Sequence, residues 1–207
     1  MIARLYDRLL LPRLVQLACG TKVISRQRAL WVPRARGRVL EIGFGTGLNL
    51  PYYRPAEVRE VVGLEPSEAM ARLAARVLPA APFPVRLLAC HGESVPLESG
   101  SVDTVVVTYT LCSVEAPEAT LAEARRVLKR SGRLIFCEHG AAPDPAVRRW
   151  QDRLTPAWRR LAGGCHLNRD APALVRGAGF EIGELDAGYL PGWKPAAWNT
   201  AGSARKR

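Results

Sequence analysis

Residues 38–49 read Arg-Val-Leu-Glu-Ile-Gly-Phe-Gly-Thr-Gly-Leu-Asn. Val39, Leu40 and Ile42 form a short apolar run with β-branched residues, the pattern of a buried parallel strand. Glu41 is the single acid inside that run. Gly43, Gly45 and Gly47 follow at alternate positions, and a helical pattern opens beyond them. Glycine lets the chain turn tightly out of a strand and lets a ligand lie against bare backbone. A turn with incidental glycines is the competing reading. The strand before the motif and the helical pattern after it favour a ligand site at the strand's end.

Two ligands compete for such a turn. The dinucleotide spacing G-x-G-x-x-G would need glycine at position 48, which is Leu48. Glu41 would repel a pyrophosphate and suits a ligand with a cationic amino-acid end. The stretch resembles motif I of the class I S-adenosylmethionine (SAM) methyltransferases. That resemblance implies SAM as cofactor, with Glu41, Gly43, Gly45, Gly47 and Asn49 in its site.

The 207 residues suffice for one sizeable core, and 48% hydrophobic content argues against extensive disorder. No apolar run reaches the roughly 20 residues of a membrane span. Arg and Asp residues interrupt the apolar start, so no secretory signal is expected. Five scattered cysteines without C-x-x-C read as reduced thiols of a cytoplasmic protein. The pairs Cys137/His139 and Cys165/His166 lack ligand-type spacing, so no metal site is expected. The net charge is +11, and it is uneven. Residues 1–38 hold nine Lys or Arg against Asp7, residues 200–207 hold three more, and the stretch between is balanced. Basic termini of this kind can meet nucleic acid or an anionic membrane surface.

Ile2, Leu5, Tyr6, Leu9 and Leu10 recur at helical spacing with Arg4, Asp7 and Arg8 opposite, and Pro12 interrupts. Residues 1–30 are therefore expected to form a basic amphipathic helical extension that covers the core or closes the pocket, and contact with a membrane surface is compatible with either role. Leu48–Tyr53 opens a helix in which Pro51 fits only the first turn. Val61–Leu64 is the second strand and ends in Glu65-Pro66-Ser67, about 20 residues after the glycines, where an acid can accept both ribose hydroxyls. Ser67 caps a helix over 68–78 that carries Met70 on the adenine side. Residues 84–89 form the third strand, followed by His91-Gly92-Glu93. In methyltransferases an acid often binds the adenine amino group here; with His91 in its place, the Gly92 backbone and Glu93 carboxylate remain candidates. Residues 104–108 form the fourth strand, and Thr108 and Leu111 stand where the methyl group should point. The Asn/Asp-Pro-Pro-Tyr/Phe motif of base amino methylation is replaced by Thr108-Tyr109-Thr110-Leu111, which argues against a nucleobase acceptor.

A helix over 118–128, a fifth strand over 133–138, an insertion over 143–169 and a sixth strand over 180–185 follow, with a seventh, edge strand expected within 188–198. The expected fold class is α/β, a single domain over 1–207 with a Rossmann-like, seven-stranded, mostly parallel sheet and helices on both faces. The match to one methyltransferase branch is more specific than the fold. Leu111-Cys112-Ser113-Val114, Glu138-His139, residues 152–158 and Gly164-Cys165-His166-Leu167-Asn168-Arg169 are similar to the membrane-associated alkyl thiol methyltransferases, the methyltransferase-like seven group. Those proteins carry Gly-Cys-Asn-Leu-Thr-Arg in the late loop and an apolar N-terminal anchor, whereas this chain has His166, Asn168 and a mixed basic helix.

The resemblance implies a SAM-dependent methyltransferase for a small apolar acceptor, a thiol first and an amine or hydroxyl next. Because the thiolate is the nucleophile, a neighbouring base would help, and His139 and His166 are the candidates. A lipid-directed methyltransferase at the membrane surface, acting on a phospholipid amine or a quinone, is the alternative. A non-catalytic module that binds SAM or nucleic acid is a third reading, weakened by the lack of a basic stripe interleaved with aromatics.

Overall fold

The chain alternates strands and helices, and the interiors of the central strands are largely apolar, so that part of the sheet must be covered on both faces. The computed structural model describes residues 6–207. Ile2, Arg4 and Leu5 of the expected amphipathic helix lie outside the described residues. Seven strands form one sheet: β1 (Gly37–Ile42), β2 (Val58–Leu64), β3 (Val85–Leu88), β4 (Val102–Thr108), β5 (Leu128–His139), β6 (Phe180–Tyr189) and β7 (Trp198–Lys206). Their order is β3-β2-β1-β4-β5-β7-β6. The β1–β2, β2–β3, β1–β4 and β4–β5 pairs are parallel, and β7 runs antiparallel to both β5 and β6. This is the expected Rossmann-like, mostly parallel sheet.

Alternation along each strand divides the core in two. Leu40, Ile42, Val105, Val107, Leu134 and Phe136 face a layer built by Leu121, Ala124 and Val127 of one helix and Val175 of another. Val39, Val61, Val106, Ile135 and Cys137 face the opposite layer with Trp31, Val32, Phe44, Tyr53 and Phe83. Each fully buried leucine or phenylalanine contributes about 1.5–3 kcal/mol. The helices are α1 (Leu11–Cys19), α2 (Lys22–Trp31), α3 (Glu68–Ala74), α4 (Pro117–Val127), α5 (Pro145–Leu161), α6 (Ala171–Gly177) and α7 (Lys194–Ala197). Among the described residues no helix is long and apolar enough to cross a membrane.

Three details differ from expectation. The seventh strand is Trp198–Lys206 and lies inside the sheet between β5 and β6, so the edge is β6. Pro191 and Pro195 fall in the connection instead, because proline cannot donate to a ladder. The basic residues Arg205 and Lys206 accordingly belong to a strand and do not form a free arm. Second, the expected helix after the glycines is only a 3-10 turn, Leu50–Tyr52. Third, Pro12 does not interrupt the helix: the chain winds as a π-helical turn over Tyr6–Leu10 and passes into α1, with Pro12 at the junction in the first turn of α1.

Strand order reverses between β1 and β4, and clefts in such sheets form beyond the carboxyl ends of the strands at that point. The glycine turn after β1 and residues 109–114 after β4 meet there.

Candidate active site

A cavity of about 910 Å³ opens at this switch point. Its floor is the glycine turn. Gly43, Gly45 and Gly47 have φ of 74°, 59° and 83°, in the left-handed region where a side chain is strained. A Cβ on Gly43 would collide with Thr110, whereas one on Gly45 would meet nothing closer than 4.0 Å. The space over Gly45 is therefore open to a ligand. Glu65, at the end of β2, holds the turn in place: one carboxylate oxygen accepts from Gly45 N–H at 2.8 Å and the other from Ser67 N–H at 2.9 Å. Ser67 caps α3 by accepting from Met70 N–H.

Behind the floor lies a buried polar network. Glu41 is 1% exposed. Its two oxygens accept from Asn49 Nδ2 at 2.9 Å and from the Tyr53 hydroxyl at 2.6 Å. Burial raises its pKa from 4.5 to about 7, although Tyr53, Asn49 and Arg28 all pull it down. Burial and the neighbouring Glu41 push the Tyr53 hydroxyl well above its usual range, so Tyr53 keeps its proton and donates it. Arg28 of α2 is buried beside them and donates to Asn49 Oδ1 at 3.1 Å and Thr108 Oγ1 at 2.9 Å. Its guanidinium lies 5.0 Å from the Tyr109 ring centroid. Tyr109 adopts φ 53°, a strained conformation for a non-glycine residue that places its hydroxyl on Asn199.

The opposite wall comes from α1 and from the loop after α5. Leu11, Pro12, Val15 and Cys19 present an apolar surface to the cavity, while Leu14 and Leu17 on the same helix point outward, 49% and 72% exposed. The loop contributes Gly163, Gly164, His166 and Arg169. Gly163 and Gly164 have φ of 60° and 85°, which turns the chain sharply out of α5. Arg169 donates to the Leu111 and Val114 carbonyls, and His166 N–H donates to the Cys112 carbonyl at 2.7 Å, so the loop is sewn to the segment after β4. His166 Nδ1 lies 3.1 Å from that same carbonyl oxygen. A carbonyl only accepts, so Nδ1 carries the proton and Nε2 keeps its lone pair. Burial, then Arg169, lower the His166 pKa and keep the ring neutral at pH 7.

Glu138, at the end of β5, organises the segment after β4. Fully buried, it accepts from the backbone N–H of Thr110 at 2.7 Å, Leu111 at 3.0 Å and Cys112 at 3.4 Å. Burial raises its pKa even against these donors.

Of the residues singled out in the sequence, Glu41, Gly43, Gly45, Asn49, Glu65, Pro66, Met70, Gly92, Glu93, Thr108 and His166 line the cavity. Gly47, Leu111 and His139 do not. Gly47 faces Val77, Leu50 and Phe44. Leu111 is fully buried in the core. His139 turns away from the cavity toward Cys165, with Nε2 3.1 Å from Sγ. Arg28, Tyr53 and Glu138 escaped sequence reasoning as parts of the site.

The sequence profile of a family described as "Methyltransferase domain" matches residues 40–136. Thiol S-methyltransferase TMT1B of Rattus norvegicus is 32% identical over 173 residues, covering 81% of this chain and 70% of its own length. Phosphatidylethanolamine N-methyltransferase of Cereibacter sphaeroides is 31% identical over 138 residues, covering 62% of this chain and 67% of its own. Among solved structures, a SAM-dependent methyltransferase of Thermotoga maritima, titled as a possible histamine N-methyltransferase, superposes with a TM-score of 0.66 at 22% identity and full coverage of both chains. That likeness concerns the fold.

Proposed function

Since the chain belongs to the class I SAM-dependent methyltransferases, in the group that includes the thiol S-methyltransferases, we propose that its acceptor is a small apolar thiol. The protein is an enzyme, and its cofactor is SAM. The residues present fit that cofactor. Gly45 leaves open space above bare backbone, and each Glu65 oxygen accepts one protein N–H, leaving lone pairs for a diol. Glu65 holds the ribose hydroxyls, and Glu41 with Asn49 faces the cationic amino-acid end. Pro66, Met70, Gly92 and Glu93 border the adenine. When bound, SAM supplies an electrophilic methyl group on a sulfonium centre.

The observation that carries the acceptor is His166. It lines the cavity on the same wall as the apolar face of α1, and its Nδ1–H is committed to the Cys112 carbonyl, which leaves the Nε2 lone pair as its basic site. A free thiol has a pKa of about 8.5 and is mostly protonated at neutral pH. His166 Nε2 takes the thiol proton and becomes imidazolium. Leu11, Pro12 and Val15 seat the alkyl chain and exclude water. The remaining work is positioning, since in-line displacement depends on holding the nucleophile behind the methyl group. Incubation with methyl-labelled SAM and a panel of thiols, amines, phenols and lipids tests this. Label in a thioether is expected, and label on nitrogen or oxygen alone overturns it.

A second reading, a lipid acceptor, rests on the outer face of α1. Leu14 and Leu17 are exposed there, Leu9 and Leu10 are exposed in the helical turn just before it, and Leu161 at the end of α5 is 64% exposed. Arg159 and Arg160 lie in the same last turn of α5. Such a face docks on an anionic bilayer and places the cavity mouth at the surface, where apolar thiols also partition. Label transferred to phosphatidylethanolamine or a quinone, with none on thiols, selects this reading.

A further inference from the structure

Behind the cavity wall, side chains from three distant parts of the chain converge. Cys112 follows β4, His139 ends β5 and Cys165 lies in the loop after α5, and their ligating atoms all fall within 4.8 Å of one another. Cys112 and Cys165 are free thiols, 3% and 8% exposed. We propose that these three residues bind one Zn²⁺ ion. The inference does not depend on which acceptor the enzyme methylates.

The geometry fits. Zinc binds thiolate at about 2.3 Å and imidazole at about 2.0–2.1 Å, so tetrahedral ligand atoms stand roughly 3.5–3.8 Å apart. His139 Nε2 and Cys165 Sγ are 3.1 Å apart, within a few tenths of an ångström of that spacing. Among the described residues His139 Nδ1 is buried without a partner, and the ring is held through Nε2 on Cys165, the contact that zinc would replace. Each ligand is also held by ties that leave its ligating atom free. The Cys112 backbone is fixed from both sides, its N–H on Glu138 and its carbonyl under His166. His139 is locked in register opposite Asn199 of β7. Cys165 is set by the left-handed glycines before it.

The chemistry fits as well. Two thiols lose their protons to solvent as the ion binds, and two thiolates cancel the charge of Zn²⁺. The complex is neutral, which suits a buried place where a net charge would be costly. Three protein ligands leave a fourth position for water or another small ligand. Bound zinc pins the loop bearing Gly164, His166 and Arg169 to the ends of β4 and β5, and so fixes the acceptor side of the cavity.

The test uses the full chain, reduced, loaded with Zn²⁺ and desalted. Elemental analysis should find one zinc per chain, and competition with a chromophoric chelator should give a dissociation constant tighter than about 1 µM. Cobalt substitution should give thiolate-to-metal charge transfer and the visible bands of a four-coordinate ion. Cys112→Ser, Cys165→Ser and His139→Ala should weaken binding by more than about a hundredfold, while His139→Cys restores it and Cys90→Ser leaves it unchanged. SAM affinity checks that the variants fold, and if they do not, the cobalt spectrum of the unaltered protein decides. Substoichiometric zinc with no thiolate–cobalt band overturns the proposal. So does zinc retention that is unaffected by the cysteine variants, or a Cys112–Cys165 disulfide in place of metal under reducing buffer.

Discussion

Glu41 lets the buried network behind the glycine turn be tested by titration. Its carboxyl is 1% exposed and its pKa is raised from 4.5 to about 7, chiefly by burial. Below about pH 4.5 the group is neutral in both folded and unfolded chains and affects stability little. Between 4.5 and 7 the unfolded chain ionises first, so stability falls as pH rises, and above 7 the loss is complete. That shift corresponds to about 3 kcal/mol. Glu41→Gln cannot ionise and removes this slope. Its amide turns an NH₂ toward Tyr53 or Asn49, as the protonated carboxyl turns its O–H, and any donor left unsatisfied there costs about 1–3 kcal/mol at every pH alike. The stability of the variant relative to wild type should therefore rise by about 2–3 kcal/mol from pH 5 to pH 8, enough to cancel or reverse any deficit present at pH 5. Urea unfolding at half-unit pH steps measures the difference. Glu65 and Glu138 are also raised by burial, but their slopes are common to both proteins and cancel. A stability difference that stays constant from pH 5 to 8, within about 0.5 kcal/mol, would refute the reasoning. A cation beside Glu41 favours its ionised form, so SAM should bind more tightly at pH 8 than at pH 6 in the wild type only.

Further outcomes follow from the same geometry. Glu65→Ala removes the proposed ribose acceptor and the anchor of Gly45; calorimetry should show SAM affinity lower by at least about a hundredfold, at about 1.5–3 kcal/mol per charge-assisted bond. Arg28→Met leaves Asn49 Oδ1 without its buried donor and Thr108 Oγ1 with Asn49 Nδ2 alone, and should destabilise the fold by about 1–3 kcal/mol in chemical denaturation. His166→Ala should slow methyl transfer to thiols by about 10²–10⁴-fold at pH 7 with SAM affinity nearly unchanged, and the deficit should shrink above pH 8.5, where the thiol ionises unaided. Leu14→Glu with Leu17→Glu should abolish co-sedimentation with anionic vesicles while leaving thermal stability intact, because both side chains already face water.

The fold was legible where burial speaks through composition. Apolar runs ending in glycine or acid mark β1 and β2, and the order reversal beside β1 then places the cleft. β7 was illegible because its interior residues are small: Ala201, Gly202 and Ala204 carry no apolar alternation. Their neighbours supply the bulk, and a Cβ at Gly202 would press on the Phe136 ring. Pro191 and Pro195 suggest an edge position for a strand over 188–198, whereas they mark the connection before β7.

The site was legible in part for a related reason. Glu41, Gly43, Gly45 and Glu65 sit close to a strand end, so spacing alone could place them. Arg28 stands among nine basic residues in 1–38, where a charge normally reads as solvated surface, and only packing shows that α2 turns it inward. Cys112, His139 and Cys165 are far apart in sequence, and the pairs that looked suggestive, Cys137/His139 and Cys165/His166, are not the groups the fold brings together.

The acceptor atom is what separates a thiol methyltransferase from a lipid or amine methyltransferase. A single-turnover experiment with methyl-labelled SAM and a small alkanethiol, run on wild type and His166→Ala from pH 6 to 10, addresses it directly. The prediction is a labelled thioether from wild type at neutral pH, with the variant slow at pH 7 and converging on wild type at high pH. Label that reaches amines or lipids but never sulfur, from protein that binds SAM, would contradict it.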